Sequence, residues 1–163
     1  MQTSKIFLVD EMLKGLGRWL RVAGFDTLIL EDVQMDAVLL QRAVQDGRLL
    51  LTRDRAFLQH RKAADTVVLL ECNGLDDCAA ALSRELHIDW LFSPFSRCMN
   101  CNTPLVKATW QQTRSLHVDT TDNADVLYCP ACDQLYWHGS HVDAMLQRLQ
   151  HWSAGFFTPD LCP

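Results

Sequence analysis

The chain has 163 residues, 48% hydrophobic and 21% charged, with a formal net charge of −5. That balance fits a globular protein with a real core and excludes a surface that coats nucleic acid by overall positive charge, leaving only a local basic patch. No apolar run approaches the roughly 20 residues of a membrane span, and the start at Met1 lacks a signal-peptide core, so no membrane contact and a cytoplasmic location are expected.

Ile6-Phe7-Leu8-Val9 is a short apolar run that reads as a strand buried on both faces, and it stops at Asp10. An unpaired carboxylate is costly to bury, so Asp10 belongs at the open end of the strand, where parallel α/β sheets bind ligands. Met12, Leu13, Leu16, Trp19, Leu20 and Ala23 then recur at helical spacing, with Gly24 as the stop. Lys14, Arg18 and Arg21 share another face of that helix, either a solvated cationic stripe or a set of phosphate contacts. Gly15-Leu16-Gly17 lacks the third glycine of a dinucleotide loop and lies inside the helical pattern, so that reading fails.

Asp26–Leu30 reads as a second strand. A helix from Asp36 to Asp46 stops at Gly47, and Arg48–Thr52 is a third strand running into Arg53-Asp54. Asp54 begins another short helix, so Asp36 and Asp54 both have an alternative role as N-caps. Thr66–Leu70 is a fourth strand, Asn73-Gly74 a turn, and Asp76-Asp77 start an alanine-rich helix to about Leu86. Strand–helix repeated four times, with room for right-handed crossovers, predicts a three-layer α/β domain over residues 1–92. If the first and third strands are neighbours, Asp10 and Asp54 converge at one edge.

Ser93-Pro94-Phe95-Ser96 is the one boundary, after which come Cys98-x-x-Cys101 and Cys129-x-x-Cys132. Two thiolates on one tight turn can face the same ion, and two such turns close a tetrahedral sulfur shell that selects structural zinc over a redox dithiol. Residues 93–152 are therefore read as a zinc ribbon followed by a terminal helix, and 153–163 as a tail. The region between the cysteine pairs, including Thr113, Ser115 and Val118, reads as short strands and turns. Ser140-His141-Val142-Asp143 looks like a capping box for the final helix. His138 and His141 are given surface or capping roles, and Cys72, Cys78 and Cys162 are expected outside the metal site.

Carboxylates at strand ends favour hard divalent cations such as Mg²⁺ or Mn²⁺, which activate water and neutralise charge on a phosphodiester. No nucleophile elbow is visible. A haloacid-dehalogenase-type phosphatase would want an acid where Met12 stands, and no receiver-domain set of acids and lysine emerges.

Phe7-Leu8-Val9-Asp10 with Met12, Gly15-Leu16-x-Arg18-Trp19-Leu20-Arg21, Gly24-Phe25-Asp26 and Leu51-Thr52-Arg53-Asp54 together resemble the Mut-seven C-terminal RNase family. Ser96-Arg97-Cys98-x-x-Cys101-Asn102, Cys129-Pro130-x-Cys132 and Tyr136-Trp137-x-Gly139-Ser140-His141 are similar to that family's appended zinc ribbon. The resemblance implies a PIN-like fold, a parallel sheet with helices on both faces, with acids around Mg²⁺ or Mn²⁺ and activity on single-stranded or structured RNA. It assigns Asp10, Asp54 and Asp36 to the metal, with Thr52 in support. Asp76 and Asp77 are candidates for a fourth acid. On this reading Lys14, Arg18 and Arg53 contact RNA phosphates, and the ribbon adds Lys107, Arg114, Trp110, Tyr136 and Trp137. The aromatics have an alternative role as a mini-core around the zinc, which is preferred for Trp137. The expected function is a metal-dependent endoribonuclease. Its rivals are a non-catalytic RNA- or protein-binding adaptor, whose acids are only helix caps, and a phosphatase of small phosphoesters. Nothing in the sequence names a protein partner.

Overall fold

The computed structural model describes residues 5–32, 35–60, 64–114 and 126–155. Strands β1 (Phe7–Val9), β2 (Thr27–Ile29), β3 (Leu49–Thr52) and β4 (Val67–Leu69) form one parallel sheet in the order β2-β1-β3-β4. Leu8 lies opposite both Leu28 and Leu50, and Leu51 lies opposite Val68. Because side chains alternate across a strand, neighbours in the apolar run feed different layers. Phe7, Val9 and Leu51 pack with residues of α1 (Lys14–Val22) and α3 (Leu75–Leu86), while Leu8 and Leu50 pack with Leu39, Leu40 and Ala43 of α2 (Asp36–Asp46) and with Phe57. Helices therefore cover both faces, the expected α/β architecture.

Local boundaries differ from the sequence reading where a side chain captures the backbone. Asp10 caps a short 3₁₀ turn, Glu11–Leu13, so α1 starts at Lys14 rather than Met12. Asp36 is the first residue of α2, with Met35 in the cap position, so Asp36 is not its N-cap. Arg21 does not join a solvated stripe: it is buried. Gly24 ends α1 at φ +100°, and a Cβ there would lie 2.3 Å from the Ser93 carbonyl oxygen. Only glycine permits this return of the chain, which the Ser93 amide fixes on Ala23 and the Phe95 amide on Val22.

The C-terminal part has three antiparallel strands, β5 (Val106–Lys107), β6 (Leu127–Cys129) and β7 (Gln134–Tyr136), in that order. A helical turn, α4 (Trp110–Thr113), replaces the strand-and-turn material expected around Thr113, because Thr109 and Gln112 form a reciprocal capping box. Ser115, Val118 and residues 156–163, with Cys162, lie outside the described residues, whereas Ser153 and Ala154, read as the start of the tail, still belong to the terminal helix. In α5 (Ser140–Ala154) the expected capping box is not formed: Gly139 holds the cap position, and Asp143 instead sits 3.4 Å from His138 Nδ1. α5 lies on the α/β body, with the Trp152 ring 5.1 Å from Trp19 and 4.8 Å from Trp90, and Met145 and Leu149 in the same apolar cluster as Phe7 and Val9. No helix among the described residues is long and apolar enough to cross a membrane.

Candidate active site and cysteine cluster

At the carboxyl edge of the sheet, one hydroxyl links two acids. Thr52, the last residue of β3, donates from Oγ1 to Asp10 Oδ2 at 2.5 Å and accepts the Asp54 amide at 3.0 Å. Adjacent parallel strands make this possible, since β1 and β3 end side by side and the Asp10 amide still reaches the Leu51 carbonyl. The other Asp10 oxygen accepts the Leu13 amide at 3.2 Å. Asp54 is exposed and caps the turn Arg55–Gln59 by accepting the Ala56 amide at 2.8 Å, so its capping role is real.

Asp10 is only 7% exposed, and no cationic side chain of the described residues forms an ion pair with it. Burial raises its pKa. The Thr52 hydroxyl and the Leu13 and Met12 amides pull it back, and the Asp54 charge pushes it up again. A divalent cation would relieve both the burial and the repulsion.

The remaining predicted residues are distributed unevenly. Asp36 sits half-buried at the head of α2, which begins at the carboxyl edge. Among the described residues, Asp10, Asp36 and Asp54 do not form a group whose donor atoms all lie within 4.8 Å of one another. Lys14 and Arg18 are exposed on α1. Arg53 lines two clefts at the carboxyl edge and donates to Asn73 Oδ1 at 3.3 Å. Asp76 is engaged elsewhere, by Arg148 at 3.0 Å and the Trp152 indole at 2.8 Å, and Asp77 accepts the Asn73 amide at 2.7 Å.

The four ribbon cysteines have Sγ atoms within 4.8 Å of one another. Cys101 and Cys129 sulfurs are 3.4 Å apart, and those of Cys98 and Cys132 are 3.9 Å apart. A tetrahedral shell with 2.3 Å metal–sulfur bonds would space sulfurs by about 3.8 Å, so the set fits zinc. Burial raises the Cys101 thiol, but hydrogen bonds with the Thr103 hydroxyl and backbone bring it down to about 6. The hydrogen bond with Cys101 and then burial push Cys132 up to about 12. Such a cluster cannot hold four thiolates without a cation. Tyr136 places its hydroxyl 3.0 Å from Cys98 Sγ, as part of the small core around the cluster. Trp137, Trp110 and Arg114 are exposed, with the Arg114 guanidinium 4.8 Å above the Trp110 ring, and Lys107 is exposed on β5.

The first knuckle is anchored on the edge opposite the acids, a network the sequence reading missed. Arg21 donates from Nε to the Thr27 carbonyl at 2.8 Å and from one terminal nitrogen to Met99 and Asn100 carbonyls at 3.0 and 2.7 Å. Asn102 accepts the Thr27 amide and donates to Asp26, which also pairs with Arg48 at 2.8 Å. Asp26 and Arg48 immediately precede β2 and β3, whereas Asp10 and Asp54 follow β1 and β3. The only hint in the sequence was a polar residue just before each strand.

A model of the Mut7-C RNAse domain matches residues 5–149. No curated protein and no solved structure gives a significant match. With a match across most of its length, the chain belongs to the Mut7-C RNAse domain family.

Proposed function

We propose that the protein is a metal-dependent endoribonuclease that hydrolyses RNA phosphodiester bonds. The observation that carries this reading is the Asp10–Thr52–Asp54 arrangement: a buried carboxylate without a cationic partner among the described residues, joined through one hydroxyl to the turn of a second acid at the carboxyl ends of adjacent strands. Asp10 and Asp54 would hold Mg²⁺ or Mn²⁺, with Asp36 approaching from the head of α2. When bound, the ion supplies an activated water and neutralises charge on the scissile phosphate. Thr52 fixes the Asp10 carboxylate, and Lys14, Arg18 and Arg53 bind phosphates, which gives affinity without sequence preference. Zinc in the cysteine cluster is structural, because four sulfurs leave no open position. A cytoplasmic setting keeps those thiols available.

The test is a labelled single-stranded RNA incubated with the parent protein in Mg²⁺ or Mn²⁺, with EDTA as control. Metal-dependent shortening of the RNA supports the nuclease. Binding that is equal with and without EDTA, and never followed by cleavage, would favour the adaptor. Turnover of a chromogenic phosphomonoester with intact RNA would favour the phosphatase.

A further inference from the structure

Gly17 and Gly24 have packing reasons to be glycine, and Gly15 has none. A Cβ at Gly17 would lie 3.0 Å from the Ile29 side chain, and one at Gly24 would strike Ser93. Gly15 is exposed in α1 without the positive φ that favours glycine, and a Cβ there would meet no atom within 4 Å. Glycine weakens a helix because its backbone loses the most freedom on folding, and here no packing contact compensates. Bare backbone of this kind suits the close approach of a ligand.

Gly15 lines a cleft of about 160 Å³ at the carboxyl edge. Met12, Leu13 and Leu16 come to it from the α1 side, and Gly74, Leu75 and Cys78 from the head of α3. The α3 side is fixed by a disulfide from Cys78 to Cys72, which ties the residues after β4 to the first turn of that helix. A Cβ on Gly74 would also meet nothing within 4 Å, so bare backbone lines the cleft from both sides. Met12 is 66% exposed, and a thioether packs well against aromatic rings. The cleft adjoins the acids: Leu13, whose amide reaches Asp10 Oδ1 at 3.2 Å, and Arg53, between Thr52 and Asp54, both stand in its wall.

Size and charge narrow the occupant. Sites for whole drug-sized ligands start at about 300 Å³, so this cleft takes a single ring system. Its walls are apolar side chains and bare backbone, which fit a flat, uncharged ring. Lys14 and Arg18, exposed on the same helix one turn apart, and Arg53 in the wall complement anionic groups on either side of that ring. We propose that the cleft seats one unpaired nucleobase of the RNA against the Gly15 backbone, an inference that rests on the nuclease reading for its place beside the cut. The base leaves its stack and enters between Met12 and Leu75, and its neighbouring phosphate lies at Arg53.

The test uses zinc-loaded full-length protein and a short labelled single-stranded RNA whose cut in Mg²⁺ or Mn²⁺ has been mapped. Each base in turn is replaced by an abasic ribose, which keeps the phosphates. One position beside the cut should lower kcat/KM roughly ten-fold, and the others little. Gly15→Leu fills the cleft where no protein atom stands and puts a better helix former in α1, so it should melt no lower than the parent. It should cut the intact RNA roughly ten-fold more slowly, and the two losses should not add: on the abasic RNA the substitution costs nothing further. A flat abasic scan overturns the proposal, as do parental cleavage by Gly15→Leu or two losses that multiply. If the parent cuts no RNA, the nuclease reading fails, and binding of the same RNAs without added Mg²⁺ or Mn²⁺ decides. Weaker binding of intact but not abasic RNA by Gly15→Leu sustains the base site, whereas equal binding, or none by the parent, overturns it.

Discussion

The Arg21 guanidinium, on the first long helix, donates at 2.7 Å to the carbonyl of Asn100, 79 residues later and inside the Cys98–Cys101 knuckle. This bond, with those to Met99 and Thr27, makes the knuckle part of the sheet's amino edge. Arg21→Met keeps the apolar stem but strands three carbonyls. We expect a loss of about 3 kcal/mol in chemical denaturation, and weaker zinc retention against a chromogenic chelator, since the two are linked. Unchanged values for both would mean that the knuckle docks by packing alone.

Metal analysis should find one zinc per chain. Because Met145, Leu149 and Trp152 share the apolar cluster of the sheet, stripping zinc should lower the melting of the whole chain in one transition. Two separate calorimetric transitions, with only the smaller one sensitive to chelator, would show an independent ribbon.

Asp10 gives a pH signature. Burial first, and then the Asp54 charge, raise its pKa in the folded protein, against the pull of its hydrogen bonds. The folded state therefore holds the proton more tightly than the unfolded chain. Stability falls as pH climbs from the ordinary carboxylate range through the raised pKa, and the cost is full above it. Asp10→Asn should melt higher than the parent in EDTA at neutral pH, with an advantage that fades on acidification. Mg²⁺ should raise the melting of the parent but not of the variant. A variant that melts lower at every pH would refute the unpaired-charge account.

Asp54 both caps a turn and faces Asp10, and Asp54→Asn separates the two roles. Asn caps about as well as Asp, so folding should be preserved. The charge needed by a hard cation is lost, so metal-dependent RNA cleavage should drop by about 100-fold or more while RNA binding in EDTA survives. Cleavage at the parental rate would locate the active site elsewhere.

Asp76 should prove dispensable for chemistry. Its carboxylate is taken by Trp152 and Arg148, which hold its pKa low. Asp76→Ala should cost about 1 kcal/mol of stability by loosening α5, with RNA cleavage close to parental. A collapse of cleavage in a folded variant would reinstate Asp76 as the fourth acid.

The strand–helix alternation, the acids closing the first and third strands, and the two C-x-x-C turns can all be read along the chain. These are local signals: a short apolar run, a periodic face, a fixed ligand spacing. Even the parallel pairing of Phe7–Val9 with Leu49–Leu51 was legible, since both runs need burial on two faces and end in a carboxylate. Tertiary structure alone decided which polar groups meet. Arg18 and Arg21 belong to one cationic pattern, yet Arg18 faces water and Arg21 is buried, because carbonyls brought from residues 27, 99 and 100 offer Arg21 the hydrogen bonds that make its burial tolerable. In the same way Asp76 became a tether for α5, and Cys72 met Cys78 beside Arg53. Spacing along a chain encodes local contacts, whereas these partners are chosen by how separately formed elements pack.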